Sequence, residues 1–361
     1  MSLFVRHSLA GFSSGTSVAE LLVRYPSLTK VQRAVYREML ERVRAGEVTF
    51  KVLEPCQSED VAVAVEALKY DHPELFWITG AAKLATETRG ASVTRTITLE
   101  TECPLALVPT LQVRIDAETR KFARTLPSSA SSYEKVRAAY EFIIMNTSYD
   151  YGAPHDQSMA GALLDHRAVC SGYAKAFCHL VRSVDVPCAC VRGTAISGDV
   201  SGPHLWNIVC IDGVYTHVDV TWGEIEAAQD AGRGRAKDVS YGYLCVTTEE
   251  VLRSRTIGDG QLLPQCTSRA YDWFGRQGLL LDKFSETEFD ALLASSMLRS
   301  TRQLAVKFET PRAFDQCVRW MDTQKIFSGA FGERLRRASQ GAASSIAWSH
   351  DDELRIVHVS W

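Results

Sequence analysis

The sequence predicts an α+β fold in which a helix opening on a cysteine packs against an antiparallel sheet, with accessory α/β regions on both sides. Three observations carry this expectation. VCSGYAKAFCHLV (169–181) sets apolar residues at helical spacing directly after Cys170. HLWNIVCIDGVYTHVDVTW (204–222) is a pair of alternating runs around Asp212-Gly213, a strong signal for a two-residue hairpin turn. Helical and alternating patterns also follow one another on both sides of these stretches.

The elements follow in chain order. VQRAVYREMLERVRAGE (31–47) has Val31, Val35, Met39, Leu40 and Val43 on one side of a helix, and TFKVLE then alternates as a strand. SEDVAVAVEALKYDHPELFW opens a second helix with Ser58 as N-cap and Pro73 just past its end. ASVTRTITLET (91–101) alternates as a strand. YEKVRAAYEFIIMN is a helix with an apolar stripe of Val136, Tyr140, Ile143 and Ile144, and the helix after Cys170 carries Ala174, Phe177, Cys178, Val181 and Val184. Near the end, RQLAVKF alternates, TPRAFDQCVRWM opens with Thr310 at N-cap and Pro311 at the first helical position, and SSIAWS and ELRIVHVSW read as strands. The Ser-rich stretch at 128 and the loss of chemically suggestive residues after 255 divide the chain into an N-terminal accessory region (1–127), a core (128–255) and a small C-terminal α/β module (256–361).

At 361 residues the chain accommodates two or three domains, and 46% apolar with 23% charged residues is ordinary for a globular protein. A net charge of −3 supplies neither a basic footprint for nucleic acid nor a polybasic membrane anchor. No run approaches the roughly 18 apolar residues of a membrane span, and MSLFVRHSLAGFSSGTSVAELL lacks the compact apolar segment of a secretory leader, so a cytoplasmic location is expected. The ten cysteines form no Cys-x-x-Cys pair, and in a chain of this size they read as reduced thiols.

Cys170 falls at or before the first turn of its helix, where exposed N–H groups and the helix dipole favour a thiolate, and Gly172 keeps the approach open. A cysteine packed beneath the helix, as expected for Cys178, fits the same position. With Asp212-Gly213 as the turn, opposed residues sum to 425, so His204 opposes Thr221 and Trp206 opposes Asp219. His204 and Asp219 are then diagonal neighbours on one face, about 7 Å apart at Cβ, within reach of an imidazole–carboxylate pair. Asp219, surrounded by strand formers, wants a partner, and His217 on the same face competes with His204 for it. The Gly/Ser-rich GTAISGDVSGP (193–203) and the polar GEIEAAQDAGRGRAKD (223–238) read as loops that either gate a cleft or merely cover the surface.

Cys170 in VCSGYAKAF, His204 in HLWN and Asp219 in HVDVTW resemble, in order, the blocks of the transglutaminase-like superfamily of papain-like thiol enzymes. The resemblance covers roughly 133–246 and implies a papain-like core with Cys170 as nucleophile, His204 as general base and acid, and Asp219 as the orienting carboxylate. Animal transglutaminases carry Trp after this cysteine, where Ser171 stands here. Gln157, Trp206 and Trp222 are further candidates for oxyanion or substrate contacts, beside the Cys170 backbone N–H. The implied activity is acyl transfer at a peptide or glutamine amide through a thioester, with a lean to hydrolysis because water needs no second binding site. Amine-accepting transglutamination and a binding module that keeps only the fold are the alternatives. No cofactor or metal is expected: a Cys170/His204/Asp219 metal site is numerically feasible but lacks a second thiol, and Asp71-His72-Pro73-Glu74 reads as a helix-ending turn rather than a ligand set. The expected partner is a peptide or protein substrate.

Overall fold

A computed structural model describes residues 21–226, 237–298, 303–323 and 347–361. The N-terminal leader reading, most of the polar 223–238 stretch and the start of SSIAWS lie outside these residues.

The N-terminal region pairs α1 (Lys30–Arg44) and α2 (Ser58–Asp71) over an antiparallel sheet of β1 (Thr49–Val52), β2 (Ile78–Arg89) and β3 (Ser92–Thr101), in the order β1-β3-β2. The apolar stripe of α1 is buried at Val35, Met39 and Val43 and meets Val61, Leu68 and Ile97. Ser58 is not the N-cap of α2. Gln57 holds that place, its N–H donating to the Asp60 carboxylate at 3.0 Å, so Ser58 is the first helical residue. Sequence pattern gave no sign of β2, because only Ile78 of its twelve residues is buried and the alternation has no apolar partner.

Helices α3 (Val108–Thr125), α4 (Ser132–Asn146) and α5 (Cys170–Ser183) follow, with α5 packed against both of the others. Ser131 and Glu134 close a capping box on α4. A two-residue parallel bridge, β4 (Ser148–Tyr149) to β5 (Arg167–Ala168), and a π-helical turn at Gly161–Asp165 lead the chain into α5.

The central sheet is laid down next. β6 (Cys188–Ser197), β7 (Val200–Ile211) and β8 (Val214–Val218) are successive antiparallel neighbours. A short pair, β9 (Glu224–Glu226) with β10 (Lys237–Val239), stands apart. β11 (Leu244–Val246), α6 (Thr248–Val251) and β12 (Arg255–Ile257) complete the sheet, in the order β11-β8-β7-β6-β12. The segment 193–203 is therefore not a loop: it is the outer part of the β6–β7 hairpin, with Ser197 paired to Val200 and Gly198 at φ +56 in the turn. The β7–β8 register is the one read from Asp212-Gly213, from Ile211↔Val214 to Asn207↔Val218. It stops there. Beyond Val218 the chain turns into a short 3₁₀ segment at Thr221–Gly223, so Trp206↔Asp219 and His204↔Thr221 are not ladder pairs, and His204 pairs instead with Gly193.

Alternation gives the sheet two buried faces. Leu205, Val209, Ile211 and Val218 pack with Phe177, Leu180 and Val181 of α5. Ala189, Val191, Trp206 and Ile208 pack with Val251, Phe274, Leu354 and Ile356. Each large apolar side chain buried this way stabilises the fold by roughly 1.5–3 kcal/mol.

The C-terminal module supplies α7 (Trp273–Gln277), β13 (Leu280–Leu281), α8 (Glu286–Leu298), β14 (Gln303–Phe308), α9 (Pro311–Thr323), β15 (Ala347–Asp351) and β16 (Ile356–Ser360), with its sheet ordered β13-β14-β16-β15. Thr310 accepts the Ala313 N–H at 3.2 Å at the start of α9. Among the described residues, no helix is long and apolar enough to cross a membrane.

Candidate active site

Cys170 is the first residue of α5, following an extended Val169 that offers no side-chain cap. Of the first-turn N–H groups, that of Gly172 is taken up by the Val169 carbonyl at 2.9 Å. Cys170 is a half-buried free thiol, and its backbone N–H meets the Tyr149 hydroxyl. Gly172 is required by packing: a Cβ there would lie 2.6 Å from the Asp156 carbonyl oxygen and 2.9 Å from that of Ser158. The segment 156–158 thus runs hard against the first turn of α5. The buried Lys175 adds a tether, its Nζ donating to the Gln157 carbonyl at 2.8 Å. Burial and the nearby Lys69 ammonium bring Lys175 down to about 7.

His204 reaches the same place from β7. Its Nε2 lies 2.7 Å from Asp219 Oδ2, which leaves Nδ1 for the hydrogen bond the ring makes with the Cys170 side chain. Arg255 of β12 donates to the same Asp219 oxygen from Nε at 2.9 Å and from Nη2 at 2.5 Å, while Oδ1 accepts the Trp222 N–H at 3.3 Å. Asp219 and Arg255 are both 1% exposed. The guanidinium lies against the rings of Trp222 (4.3 Å) and Tyr243 (3.9 Å), which meet edge to face. Burial alone would push the Asp219 carboxyl up, but His204 and Arg255 hold it well below the usual carboxylate range. Burial likewise disfavours a charged His204, and Asp219 with Cys170 outweighs it, raising the ring to about 9. A permanently ionised aspartate thus holds an imidazole that readily keeps a proton.

Cys170 and His204 open onto a cleft of about 550 Å³, whose other walls include Tyr70, Tyr151, Gln157 and Arg192. Gly193, Thr194 and Pro203 of the β6–β7 hairpin frame one side.

Residues 120–220 match the model of the Transglutaminase-like superfamily. Cys170, His204 and Asp219 all lie inside this transglutaminase-like segment, and the resemblance read from the motif blocks is borne out. Similar solved structures include a TGase (13% identity over 42% of this chain and 47% of that chain, TM-score 0.29) and a protein of Cytophaga hutchinsonii provisionally assigned as a cysteine protease (15%, 40% and 63%, TM-score 0.27). A third, provisionally assigned as a protease of Parabacteroides distasonis, gives 15%, 38% and 35%, with a TM-score of 0.22. The chain spans about half the length of the first of these. A search of curated proteins finds no match.

The remaining sequence candidates separate. Gln157 lines the cleft. Trp206 is fully buried, its ring beneath His204 (centroids 6.1 Å apart, planes 20° apart), and its Nε1 donates to His217 Nδ1 at 3.2 Å. Trp222 is half-buried between Arg255 and the His204 edge; neither tryptophan lines the cleft. His217 is buried, with Nε2 at 3.2 Å from Thr248 Oγ1, and burial followed by Arg255 pulls it down to about 4. It does not border the cleft either. Cys178 lies in the core, 3.5 Å from the Cys188 carbonyl. Asp71 accepts the N–H groups of Val23, Arg24 and Tyr25, and His72 Nδ1 lies 2.8 Å from Glu74, so Asp71-His72-Pro73-Glu74 is a bonded turn.

Arg255, Tyr149 and Arg192 were not found from sequence. Arg255 meets Asp219 only because β12 pairs with β6, a contact across 36 residues with no local pattern. Tyr149 stood in plain view in the lead-in to Cys170, but nothing in its spacing marks a hydroxyl aimed at the Cys170 amide.

Proposed function

We propose that the chain is a thiol enzyme performing acyl transfer at an amide, with Cys170 as nucleophile, His204 as base and acid, and Asp219 as the orienting group. The observation that carries this reading is the single imidazole bonded to the Cys170 side chain on one side and, at 2.7 Å, to a buried carboxylate on the other, beside an open cleft.

The chemistry follows from those atoms. His204 Nδ1 takes the thiol proton, and the sulfur, at the positive end of α5, attacks the amide carbon. The charge developing on the carbonyl oxygen is met by the Cys170 N–H, which exchanges the Tyr149 hydroxyl for it, and, from the tethered 156–158 segment, by Gln157. As the C–N bond breaks, the imidazolium gives its proton to the departing nitrogen, releasing ammonia or an amine and leaving a thioester on Cys170. Water, deprotonated by His204, then cleaves the C–S bond, and the proton returns to sulfur. Asp219 keeps Nε2 protonated throughout, so that Nδ1 faces the sulfur, and it stabilises the imidazolium between steps. Arg255 acts through Asp219 and is a positioning residue.

Water is the favoured acceptor, as it needs no second site. Incubating the protein with glutamine-bearing peptides, with and without a primary amine, tests the reading. Hydrolysis releases product whether or not amine is added; transamidation incorporates the amine. No product of either kind from a diverse peptide set, with turnover equal to that of Cys170→Ala, defeats the enzyme reading in favour of a binding module.

A further inference from the structure

We infer that the Tyr70 end of the cleft is an anion subsite in which Arg192 receives a carboxylate lying within one residue of the amide under attack. The inference rests on the thiol-enzyme reading for the word "attack", but not for the binding of the anion.

Arg192 borders the same cleft as Cys170 and sits one residue from Gly193, the ladder partner of His204. Its side chain therefore starts about a residue's length from the base. The backbone beneath it is fixed. Its N–H donates to Gln261 Oε1 at 2.8 Å, and its carbonyl accepts from Gln261 Nε2 at 2.7 Å and from the Gly258 N–H at 2.9 Å. The side chain is 42% exposed, and one edge of its guanidinium is spent on Glu66. That carboxylate is shared with Arg24 at 2.6 Å, so two guanidinium groups divide one negative charge and leave a net positive one.

The surroundings add to it. The Nζ atoms of Lys69 and Lys175 lie 5.7 Å and 6.0 Å from the Tyr70 ring centroid. Against Arg24, Lys69 and Arg192, with Lys175 only partly protonated near neutral pH, stand Glu66 and Glu102, and no Asp or Glu is among the described residues that line the cleft. A concave site of one sign focuses its potential inward, and a guanidinium edge suits a planar carboxylate. An acidic amide substrate is favoured here, while a lysine-like ammonium finds no counter-charge. The carboxylate comes either from an Asp or Glu side chain or from a free peptide C-terminus.

Two alkylating agents of nearly equal size, iodoacetate and iodoacetamide, read the subsite directly at the Cys170 sulfur. The ratio of their rates is measured in the wild-type chain, Arg192→Gln and Arg192→Lys. The expected result is a fall in the iodoacetate preference of about 10-fold or more in Arg192→Gln, partly restored by lysine. An unchanged ratio overturns the subsite. Because the ratio is taken at one sulfur, it decides the question even if Cys170 reacts slowly with both reagents, the outcome that would sink the thiol-enzyme reading instead. Paired peptides then identify the source: Glu against Gln beside the amide, and a free against an amidated C-terminus. The pair whose kcat/KM ratio falls in Arg192→Gln contains the recognised carboxylate; no fall in either pair contradicts the proposal.

Discussion

At the scale of single residues, the site turns on Asp219, which is ionised in a place that burial alone would neutralise. Two partners keep it so, and they differ in kind. His204 is exchangeable charge; Arg255 is permanent charge, set against the rings of Trp222 and Tyr243. Removing Arg255 leaves a buried carboxylate short of a partner, a defect that costs about 3–5 kcal/mol. Arg255→Met is therefore expected to lower unfolding stability by that order in denaturant melts, and Arg255→Lys not to restore it, since an ammonium neither stacks nor forks. The pH dependence follows from His204, raised from 6.5 to about 9. A group whose folded value is raised contributes stability fully below its unfolded value and loses it as pH rises through the folded one. The same proton is the one donated to the leaving nitrogen. The kcat/KM profile is thus expected to fall above about pH 9, and Asp219→Asn to move that limb down toward 6.5 while cutting the rate by about 10²–10⁴-fold. A limb unmoved by Asp219→Asn contradicts the assignment.

At the scale of elements, the site is the meeting of a helix start, a lead-in segment and a hairpin. The helix and hairpin were legible because their signals are local: apolar spacing after Cys170, and Asp212-Gly213 fixing a register that the structure follows down to Asn207↔Val218. What was not legible depends on contacts between distant segments. The β6–β7 hairpin looked like a loop because Gly193, Gly198, Gly202 and Pro203 are poor strand formers, yet Gly193 is demanded by the sheet itself, where a Cβ would lie 1.8 Å from the Thr256 carbonyl oxygen. Gly172 is the comparable case in α5. Alanine normally gains about 1 kcal/mol over glycine inside a helix, but here it drives into the backbone carbonyls of Asp156 and Ser158. The clash wins, at about 1–3 kcal/mol of overpacking. Gly172→Ala is expected to destabilise the chain in melts and to reduce turnover, because it pushes the Gln157 segment away from Cys170. A stabilised Gly172→Ala contradicts the packing described for this turn.

At the scale of the whole molecule, the core and the C-terminal module share an apolar face. The second face of the central sheet, with Trp206 and Ile208, is covered by Phe274, Leu354 and Ile356 from beyond residue 255, and β12 spans that boundary. Lys307 of β14 seals the contact: its Nζ lies 2.8 Å from Glu250 Oε1 and 2.8 Å from Asp272 Oδ2, with all three side chains about 1% exposed. Composition gave no hint of this, since a lysine in QLAVKF reads as a solvent-facing strand residue until its partners are brought in from 250 and 272. Lys307→Met strands two buried carboxylates and is expected to cost about 3–5 kcal/mol. Unfolding followed by tryptophan fluorescence should register the loss as one shifted transition rather than the separate melting of a C-terminal unit.

The central claim is that Cys170, alone of the ten cysteines, is an activated nucleophile. It is tested most directly by limiting iodoacetamide labelling near neutral pH, with the modified cysteines mapped and the rate at Cys170 compared between the wild-type chain and His204→Gln. The account predicts that Cys170 reacts ahead of the other nine and faster than an exposed free thiol, and that His204→Gln removes the advantage. Labelling of Cys170 no faster than an ordinary exposed thiol, or indifferent to His204, would contradict it.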